Sequence, residues 1–151
     1  MRQLAIDDIP TAFDLAARCP EASRWSEADY ARACGGDLDG WVAEVIPPGS
    51  GSRSRPIIGF VFARRVADEL EILNFAVEAS FRRQGVGSQL LETVFEQVRA
   101  SGIRRAFLEV RASNAVGIAF YEHHGFALIG RRTRYYSNPL EDALVLSRVP
   151  V

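Results

Sequence analysis

The stretch RRQGVGS, Arg82–Ser88, separates an apolar, strand-like run from an amphipathic helical pattern. Gly85 and Gly87 allow a tight backbone turn, and the following helix directs its first N–H groups and the positive end of its dipole toward that turn. Arg82 and Arg83 add guanidinium groups, which form charge-assisted hydrogen bonds with phosphate oxygens. A glycine turn with two solvated arginines is the simpler alternative. The predicted diphosphate site consists of Arg82, Arg83, Gln84, Gly85, Val86, Gly87 and Ser88.

Two other phosphate-binding motifs are excluded by the same segment. A dinucleotide-binding fingerprint needs a third glycine at the position where Leu90 stands. A P-loop needs a Gly-Lys pair, but the chain contains no lysine, and all 18 of its basic residues are arginine. The absence of lysine also excludes chemistry that proceeds through a lysine Schiff base.

Hydrophobic periodicity on either side of this segment predicts a mixed α/β domain. We predict strands over about Arg2–Ile6, Trp41–Ile46, Ile57–Val66, Glu69–Val77, Arg105–Arg111, Phe126–Tyr136 and Asp142–Val149. We predict helices over about Pro10–Cys19, between Ser26 and Gly35, from Val86 to Val98 with a stop at Gly102, and over Ala115–His124. The order β-α-α-β-β-β-α-β-α-β-β predicts three layers, with a central mixed sheet of about seven strands flanked by about four helices. Residues 1–151 are expected to form a single domain.

The second predicted helix has a complete N-terminal signature. Ser26 is a capping residue, and Asp29 stands three positions later, as in a capping box. Trp25, just before the cap, is expected to pack on Tyr30 as a hydrophobic staple.

Two further local signals lie in the N-terminal half. Asp7 or Asp8 is placed to cap the first helix. The segment Pro47–Pro56 (PPGSGSRSRP) is rich in Gly, Ser and Pro and predicts a loop between two paired strands.

The overall composition narrows the class of protein. With 151 residues, 48% of them hydrophobic and 25% charged, the chain is typical of a soluble globular domain, and no apolar run reaches the roughly 18 residues of a membrane span. The start MRQLAIDDIP lacks the features of a signal peptide, so we expect a cytoplasmic protein without a membrane partner. The net charge of -1 argues against a nucleic-acid partner. Cys19 and Cys34 lack metal-ligand spacing, and reduced thiols are favoured over a disulfide.

Two sequence blocks carry a family resemblance. Arg-x-x-Gly-x-Gly after a strand resembles the acetyl-CoA-binding motif of the GNAT acetyltransferases, and LEVRASNAVGIAFYEHHGF, Leu108–Phe126, resembles their second diagnostic block. Within that superfamily the chain is most similar to the bacterial ribosomal-protein-alanine N-acetyltransferases, through NFAVEASFRRQGVGSQLL, LEVRASN, RRTRYYSNPLEDALVL and the pair Trp25–Ser26. It departs from them in EASRWS, Glu21–Ser26, where the family usually carries an aromatic residue and proline before Trp-Ser. That segment helps to form the acceptor groove in the family, so the departure bears on the protein substrate.

The resemblance implies a GNAT fold and an enzyme that uses acetyl-CoA as co-substrate, without a metal. The acceptor that it implies is the α-amine of the N-terminal alanine of a ribosomal protein. This amine would attack the thioester directly. Two alternatives stay open: a GNAT enzyme that acetylates a small amine such as a polyamine or an antibiotic, and a non-catalytic acetyl-CoA-binding module. No pattern in the chain predicts an oligomeric state.

The resemblance assigns the two catalytic roles to Glu109 and Tyr121. Strand alternation places Glu109 on the face opposite to Leu108 and Val110, so its carboxylate projects from a central strand. In the family, the residue that matches Glu109 is the general base, and the residue that matches Tyr121 is the general acid. The alternatives are an ion pair between Glu109 and Arg111 or Arg105, and core packing of Tyr121 beside Phe120.

The remaining predicted site residues bind the two substrates. By resemblance, Asn114 contacts the pantetheine arm, although it is also placed to cap the next helix. The backbone of Phe75, Ala76 and Val77 is expected to pair with pantetheine like an added strand, with Tyr121 nearby. The predicted acceptor-binding residues are Trp25, Tyr135 and Tyr136, and packing in the core or on the surface is the alternative for the two tyrosines.

Four other polar residues have open assignments. Glu141 and Asp142 either meet a cationic amine terminus or end a turn. His123 and His124 close a helix, where an imidazole suits the helix dipole better than it suits a catalytic or metal-binding role.

Overall fold

A computed structural model describes residues 1–36, 38–49 and 55–149. The strands of this part of the chain are β1 Arg2–Gln3, β2 Leu38–Glu44, β3 Ile57–Val66, β4 Glu69–Val77, β5 Arg105–Arg111, β6 Ala127–Ser137 and β7 Leu140–Arg148. Its α-helices are α1 Ile9–Ala17, α2 Glu27–Ala33, α3 Val86–Val98 and α4 Ala115–His123. The predicted order of elements is confirmed, and the predicted bounds differ from these only at the ends of elements.

The strands form one sheet in the order β1-β2-β3-β4-β5-β7-β6. Neighbouring strands are antiparallel except β4 and β5, which are parallel and are connected through α3. The helices α1 and α2 pack on one face, and α3 and α4 pack on the other. The predicted three-layer α/β architecture is therefore confirmed.

Each face of the sheet has its own hydrophobic core. The apolar stripe of α3 is buried against the strands, through Leu90, Leu91, Val94, Phe95 and Val98. On the other face, Tyr30 of α2 packs edge-on against Phe60 and Phe62 of β3. Full burial of an aliphatic or aromatic side chain contributes about 1.5–3 kcal/mol, so these two clusters hold the helices to the sheet.

The predicted start of α2 is confirmed in each of its contacts. The Ser26 hydroxyl accepts the N–H of Asp29 at 3.2 Å, and the Asp29 carboxylate accepts the N–H of Ser26 at 2.8 Å. The rings of Trp25 and Tyr30 lie 5.2 Å apart, which completes the hydrophobic staple.

The first helix starts differently from the prediction. The residue at its N-cap is Asp8, but the Asp8 side chain makes no capping hydrogen bond to α1. A short 3-10 turn, Ile6–Asp8, precedes the helix and gives Asp8 a helical backbone. Its carboxylate therefore points back, where it accepts the N–H of Ala5 and pairs with Arg2, each at 2.7 Å. In the predicted loop Pro47–Pro56, residues 50–54 lie outside the described residues.

A bulge in β4 connects the sheet to the segment between α1 and α2. The register of β3 and β4 shifts so that Leu73 is one residue in excess. The next residue, Asn74, is buried, and its side chain accepts the N–H of Ser23 at 3.0 Å and donates to the Tyr30 hydroxyl at 3.0 Å. The Ser23 hydroxyl donates to the Leu73 carbonyl at 2.9 Å. These hydrogen bonds fix the α1–α2 segment on β4.

Removing the Tyr30 hydroxyl should lower the stability of the protein. In Tyr30→Phe the buried Asn74 amide loses its acceptor on Tyr30, so we expect the free energy of unfolding to fall by about 1–2 kcal/mol. Urea unfolding measures this change. Tyr135→Phe, which removes a hydroxyl from a side chain that is half exposed, is the control and should change stability by less than about 0.5 kcal/mol. Equal effects in both variants would contradict the role given to the buried hydroxyl.

Candidate active site

The parallel strands β4 and β5 pair only over Glu69–Ile72 and Arg105–Leu108. Beyond Ile72 and the bulge at Leu73 the two strands part, and a cleft of about 1360 Å³ lies between them. Its lining comes from the α1–α2 segment, the outer half of β4, the N-terminus of α3, β5, α4 and the end of β6. The cleft therefore reaches both faces of the sheet.

Most predicted site residues line this cleft. They are Trp25, Phe75, Ala76, Val77, Arg82, Arg83, Gly85, Gly87, Ser88, Glu109, Asn114, Tyr121, Tyr135 and Tyr136. Two predicted phosphate-loop residues point elsewhere. The Gln84 side chain turns back to donate to the Ser80 carbonyl at 2.9 Å, and Val86 packs against the core.

The backbone of β4 presents free peptide groups to the cleft. The N–H of Glu78 donates to the Ile58 carbonyl at 2.8 Å, which fixes the phase of the hydrogen-bonded ladder with β3. Because hydrogen-bonded pairs alternate along antiparallel strands, Ala76 turns its peptide groups toward β3, and Phe75 and Val77 turn theirs toward the cleft. The Val77 carbonyl accepts from Arg82 at 2.9 Å. The available backbone is therefore centred on Phe75.

The loop before α3 has the backbone shape that its glycines predicted. Gly85 has a φ of +83°, and a Cβ at this position would meet nothing within 4 Å. A Cβ at Gly87 would stand 3.3 Å from the Phe120 ring, so the glycine allows α4 to pack closely against α3. The first N–H groups of α3 are left without partners inside the helix and can bind an anion.

The Arg82 side chain joins three elements instead of extending into solvent. It forms an ion pair with Glu21 of the α1–α2 segment and lies 3.5 Å from the Cys19 sulfur. Its Nε donates to the Val77 carbonyl of β4. Arg82 thereby connects the loop before α3 to the α1–α2 segment and to β4.

Glu109 lies on the open face of β5, as strand alternation predicted. Its neighbours Leu108 and Val110 are buried in the core on the opposite face. Arg132 of β6 donates from Nε to the Glu109 carboxylate and forms an ion pair with it. The interaction with Glu109, and then burial, raises the pKa of Tyr135 to about 12. The sequence-based alternative of an ion pair with Arg111 or Arg105 is wrong, because Arg111 pairs with Glu141 and Arg105 pairs with Glu69, and the partner of Glu109 comes from β6.

Tyr121 lies on the other side of the sheet from Glu109. It belongs to the core cluster of α3 and α4, where its ring packs edge-on against Phe75, Phe120 and Phe126. Burial raises the pKa of Tyr121, so the phenol keeps its proton at neutral pH. Because Tyr121 also lines the cleft, core packing and a role in the cleft are compatible.

Asn114 caps α4 while it lines the cleft. Its side-chain oxygen accepts the N–H of Gly117 at 2.9 Å. A Cβ at Gly117 would stand 2.5 Å from the Asn114 amide nitrogen, so the cap requires a glycine there. Of the two predicted roles of Asn114, capping is confirmed, and contact with pantetheine stays a prediction.

A second bulge shapes the end of β6. Between Arg132 and Tyr136 the β6–β7 register shifts, and Arg134 adopts a φ of +55°. The N–H of Arg134 donates to the Asp142 carboxylate at 2.8 Å, and the same carboxylate pairs with Arg131. Asp142 therefore stabilises the bulge that precedes Tyr136.

Glu141 has an equally structural position. It pairs with Arg111 at 3.1 Å and accepts the N–H of Ser113 at 2.6 Å. Hydrogen bonds from Ser113 lower the pKa of Glu141. The Arg111 guanidinium lies 4.1 Å from the centre of the Tyr136 ring. These contacts assign Glu141 to the support of the site and leave its carboxylate unavailable to an incoming amine.

The histidines and cysteines add no second centre. His124 contacts the Phe120 carbonyl through Nδ1 at 3.2 Å, and burial lowers the pKa of His124. Cys19 and Cys34 are free thiols, as expected. Over the described ranges, no group of three or more His, Cys, Asp or Glu residues is placed to hold a metal ion. The helices of the same ranges include none with the length and apolar character of a membrane span.

Three contributors to the site were not predicted from the sequence: Arg132, Asn74 and Glu21. Strand alternation within β6 could have placed Arg132 on the same face as Glu109. Using that signal requires knowledge of the strand order β5-β7-β6, which the sequence alone does not give. The bulge at Leu73 and the ion pair Glu21–Arg82 depend on tertiary packing and have no local pattern in the sequence.

Comparison with known proteins agrees with this geometry. The chain is 32% identical over 146 residues to the [ribosomal protein bS18]-alanine N-acetyltransferase of Escherichia coli K12, covering 95% of this chain and 93% of that protein. The crystal structure of the ribosomal-protein-S18-alanine N-acetyltransferase from Escherichia coli superposes with a TM-score of 0.81 at 31% identity, over 99% of this chain and 92% of that one. Arabidopsis thaliana NAA60 in complex with acetyl-CoA shares the fold, with a TM-score of 0.83 at 19% identity, over 98% and 96% of the two chains. Residues 9–126 match the acetyltransferase (GNAT) family model, and the chain belongs to that family.

Proposed function

We propose that this enzyme transfers the acetyl group of acetyl-CoA to the α-amine of the N-terminal alanine of a ribosomal protein. The observation that carries the proposal is the position of Glu109 and Tyr121, which line one cleft from opposite faces of the sheet where β4 and β5 part. The similarity to the bacterial ribosomal-protein-alanine N-acetyltransferase over nearly the whole chain supports this acceptor. A ribosomal acceptor also implies that the enzyme acts in the cytoplasm.

The described residues fit acetyl-CoA. The open space at Gly85 and the first N–H groups of α3 suit the diphosphate. The free peptide groups of Phe75 suit the amide groups of pantetheine, which would pair with β4 as an added strand. The thioester would then lie between Glu109 and Tyr121, and a β4 N–H would stabilise the oxygen of its carbonyl as negative charge develops.

The reaction needs one proton to be removed and one to be supplied. The neutral amine attacks the thioester carbonyl, and Glu109 accepts the proton that the amine nitrogen loses, directly or through water. When the tetrahedral intermediate collapses, the C–S bond breaks and the thiolate takes a proton from the Tyr121 hydroxyl. Burial keeps the Tyr121 phenol protonated before transfer, so the proton that the thiolate needs is present on it.

Two other functions are weaker. The departure from the family pattern at Glu21–Ser26 favours a small amine as acceptor, because this segment lines the cleft. A non-catalytic acetyl-CoA-binding module would have no need of Glu109 and Tyr121 together. Turnover with peptides and with small amines separates these functions from the proposed one.

Gly85→Ala should weaken acetyl-CoA binding. Alanine at this position has to keep the left-handed backbone, which costs about 1 kcal/mol, and its Cβ extends into the space assigned to the diphosphate. We expect at least a tenfold rise in the acetyl-CoA Kd, measured by titration calorimetry. Gly102→Ala is a matched control. Gly102 has a φ of +75° and equally open surroundings, but it lies beyond the C-terminus of α3, away from the cleft. An unchanged Kd in Gly85→Ala would contradict the diphosphate site.

Peptide acetylation tests the proposed function directly. We expect the protein to add one acetyl group to short peptides beginning Ala-Arg, with release of free thiol, and to leave peptides with a blocked α-amine unmodified. Glu109→Gln and Tyr121→Phe should each lower kcat by roughly 100-fold or more while acetyl-CoA binding is retained. Mass spectrometry of the peptide and a thiol assay measure the two products.

The outcomes of that experiment separate the candidate functions. Acetyl-CoA binding without modification of any peptide would count against the ribosomal acceptor, and a panel of small amines would then be tested. Turnover that persists unchanged in Tyr121→Phe would remove the proposed acid from the mechanism.

Tyr135→Ala should raise the KM for the peptide more than the KM for acetyl-CoA. Tyr135 is half exposed at the end of β6 and lines the cleft beside Glu109, so truncation changes the Glu109 side of the cleft and leaves the residues assigned to acetyl-CoA in place. Initial rates with each substrate varied in turn give the two constants. Equal changes in both would contradict a place in the acceptor groove.

A further inference from the structure

The carboxylates of the cleft share one property. Those that line it are Glu21, Glu71 and Glu109. The ion pairs that they form are Glu21–Arg82, Glu71–Arg64 and Glu109–Arg132. The cleft is also lined by Arg24, Arg83 and Arg111. Among the described residues, every carboxylate that faces the cleft therefore already has a cationic partner, and a second cation would find none free.

The pair at the reaction centre is the one that an incoming amine meets. The Glu109 side chain is 17% exposed, whereas that of Arg132 is 57% exposed. Arg132 lies opposite Ala143 of β7 and reaches Glu109 from outside the cleft lining. Two tyrosines of β6 also interact with this carboxylate: contact with Glu109 raises the pKa of Tyr135, and burial followed by the charge of Glu109 raises the pKa of Tyr136.

Amines differ in how much of the neutral form they offer. An N-terminal α-amine has a pKa of about 7.7–8.0, so roughly a quarter is neutral at pH 7.4, whereas lysine, at about 10.4, is neutral in about one molecule in a thousand. A lysine side chain would therefore arrive as an ammonium ion and would need an unpaired carboxylate to bind it and take its proton. A like charge within about 4–6 Å further disfavours the cation. The guanidinium beside Glu109 supplies that like charge.

We propose that Arg132 is a specificity-determining residue that makes the acceptor side of the cleft reject ammonium ions and so prefer peptide α-amines over lysine ε-amines. This inference rests on the proposed α-amine acceptor. Arg132 neutralises the Glu109 carboxylate in the absence of the acceptor, and a neutral amine approaches it without competing for the guanidinium. An ammonium ion would have to displace Arg132 from Glu109 or bind against the electrostatic repulsion of its guanidinium.

The first test compares two peptides of matched length and sequence. One begins with a free alanine and has norleucine in place of its lysine, and the other has an acetylated N-terminus and one free lysine. We expect Arg132→Gln to raise the ratio of kcat/KM for the lysine peptide to that for the α-amine peptide by at least tenfold. Arg131→Gln, on the same strand and with the same change in charge, should stay within twofold of wild type, because Arg131 pairs with Asp142. An unchanged ratio in Arg132→Gln would overturn the proposal.

The second test measures binding and does not depend on turnover. Two peptide analogues carry a trimethylammonium group or a neutral tert-butyl group in place of the terminal amine, and each is titrated into the full chain saturated with CoA. Wild type should bind the neutral analogue at least tenfold more tightly, Arg132→Lys should keep most of this preference, and Arg132→Gln should lose it. If wild type binds both analogues equally, Arg132 does not select against cations.

The two tests fail in different ways. If wild type acetylates neither peptide but retains the binding preference, the proposed α-amine acceptor is wrong and the selection against cations is supported. If wild type acetylates the α-amine peptide and Arg132→Gln changes neither ratio, the proposed function holds and Arg132 has only a structural role.

Discussion

The site depends on the parting of two parallel strands. Pairing between β4 and β5 stops at Ile72 and Leu108, so the outer half of β4 has peptide groups that no strand satisfies on one side. These peptide groups face the cleft, where a ligand can pair with them as an added strand. The bulge at Leu73 lies where the strands diverge and changes the direction of β4. The cleft, the approach of a ligand along Phe75 and the access from both faces of the sheet all follow from this one interruption of the ladder.

Access from both faces explains how an acid and a base can act on one carbonyl. Glu109 alternates with core residues of β5 and lies on the face where α1 and α2 pack, whereas Tyr121 belongs to the core beneath α3 and α4 on the other face. In an uninterrupted sheet these side chains would be separated by the backbone. The cleft joins the two faces, so in the proposed reaction an amine would approach from the side of Glu109 while the leaving sulfur would lie on the side of Tyr121. The two side chains also experience different environments, since Glu109 is paired with an arginine and the phenol of Tyr121 is buried among aromatic rings.

The sequence predicted the parts of the molecule whose signals are local. The capping box at Ser26, the stripe of α3, the left-handed turn at Gly85 and the outward face of Glu109 each follow from a few neighbouring residues, and each is present. The predictions that failed or were absent involve contacts between distant segments. Asp8 turns away from α1 because it meets Arg2, and Gln84 turns back to Ser80. No local pattern indicated the pairing of Arg132 with Glu109 or the burial of Asn74 against Tyr30, because both require the strand order and the bulges.

The departure from the family pattern at Glu21–Ser26 is best interpreted through the contacts of that segment. Its backbone is attached to β4 through Ser23, which bonds to Asn74 and to the Leu73 carbonyl, and its Glu21 pairs with Arg82 of the phosphate loop. Both attachments are to elements on the acetyl-CoA side of the cleft, so the position of the segment is set by the part of the molecule that resembles the family most closely. A change of sequence just before Trp25 therefore alters which side chains line the cleft, as at Arg24, more than the position of the segment. In the proposed function, the chemistry of transfer and the choice of acceptor therefore belong to different residues, with Glu109 and Tyr121 assigned to transfer and the residues before Trp25 to the acceptor.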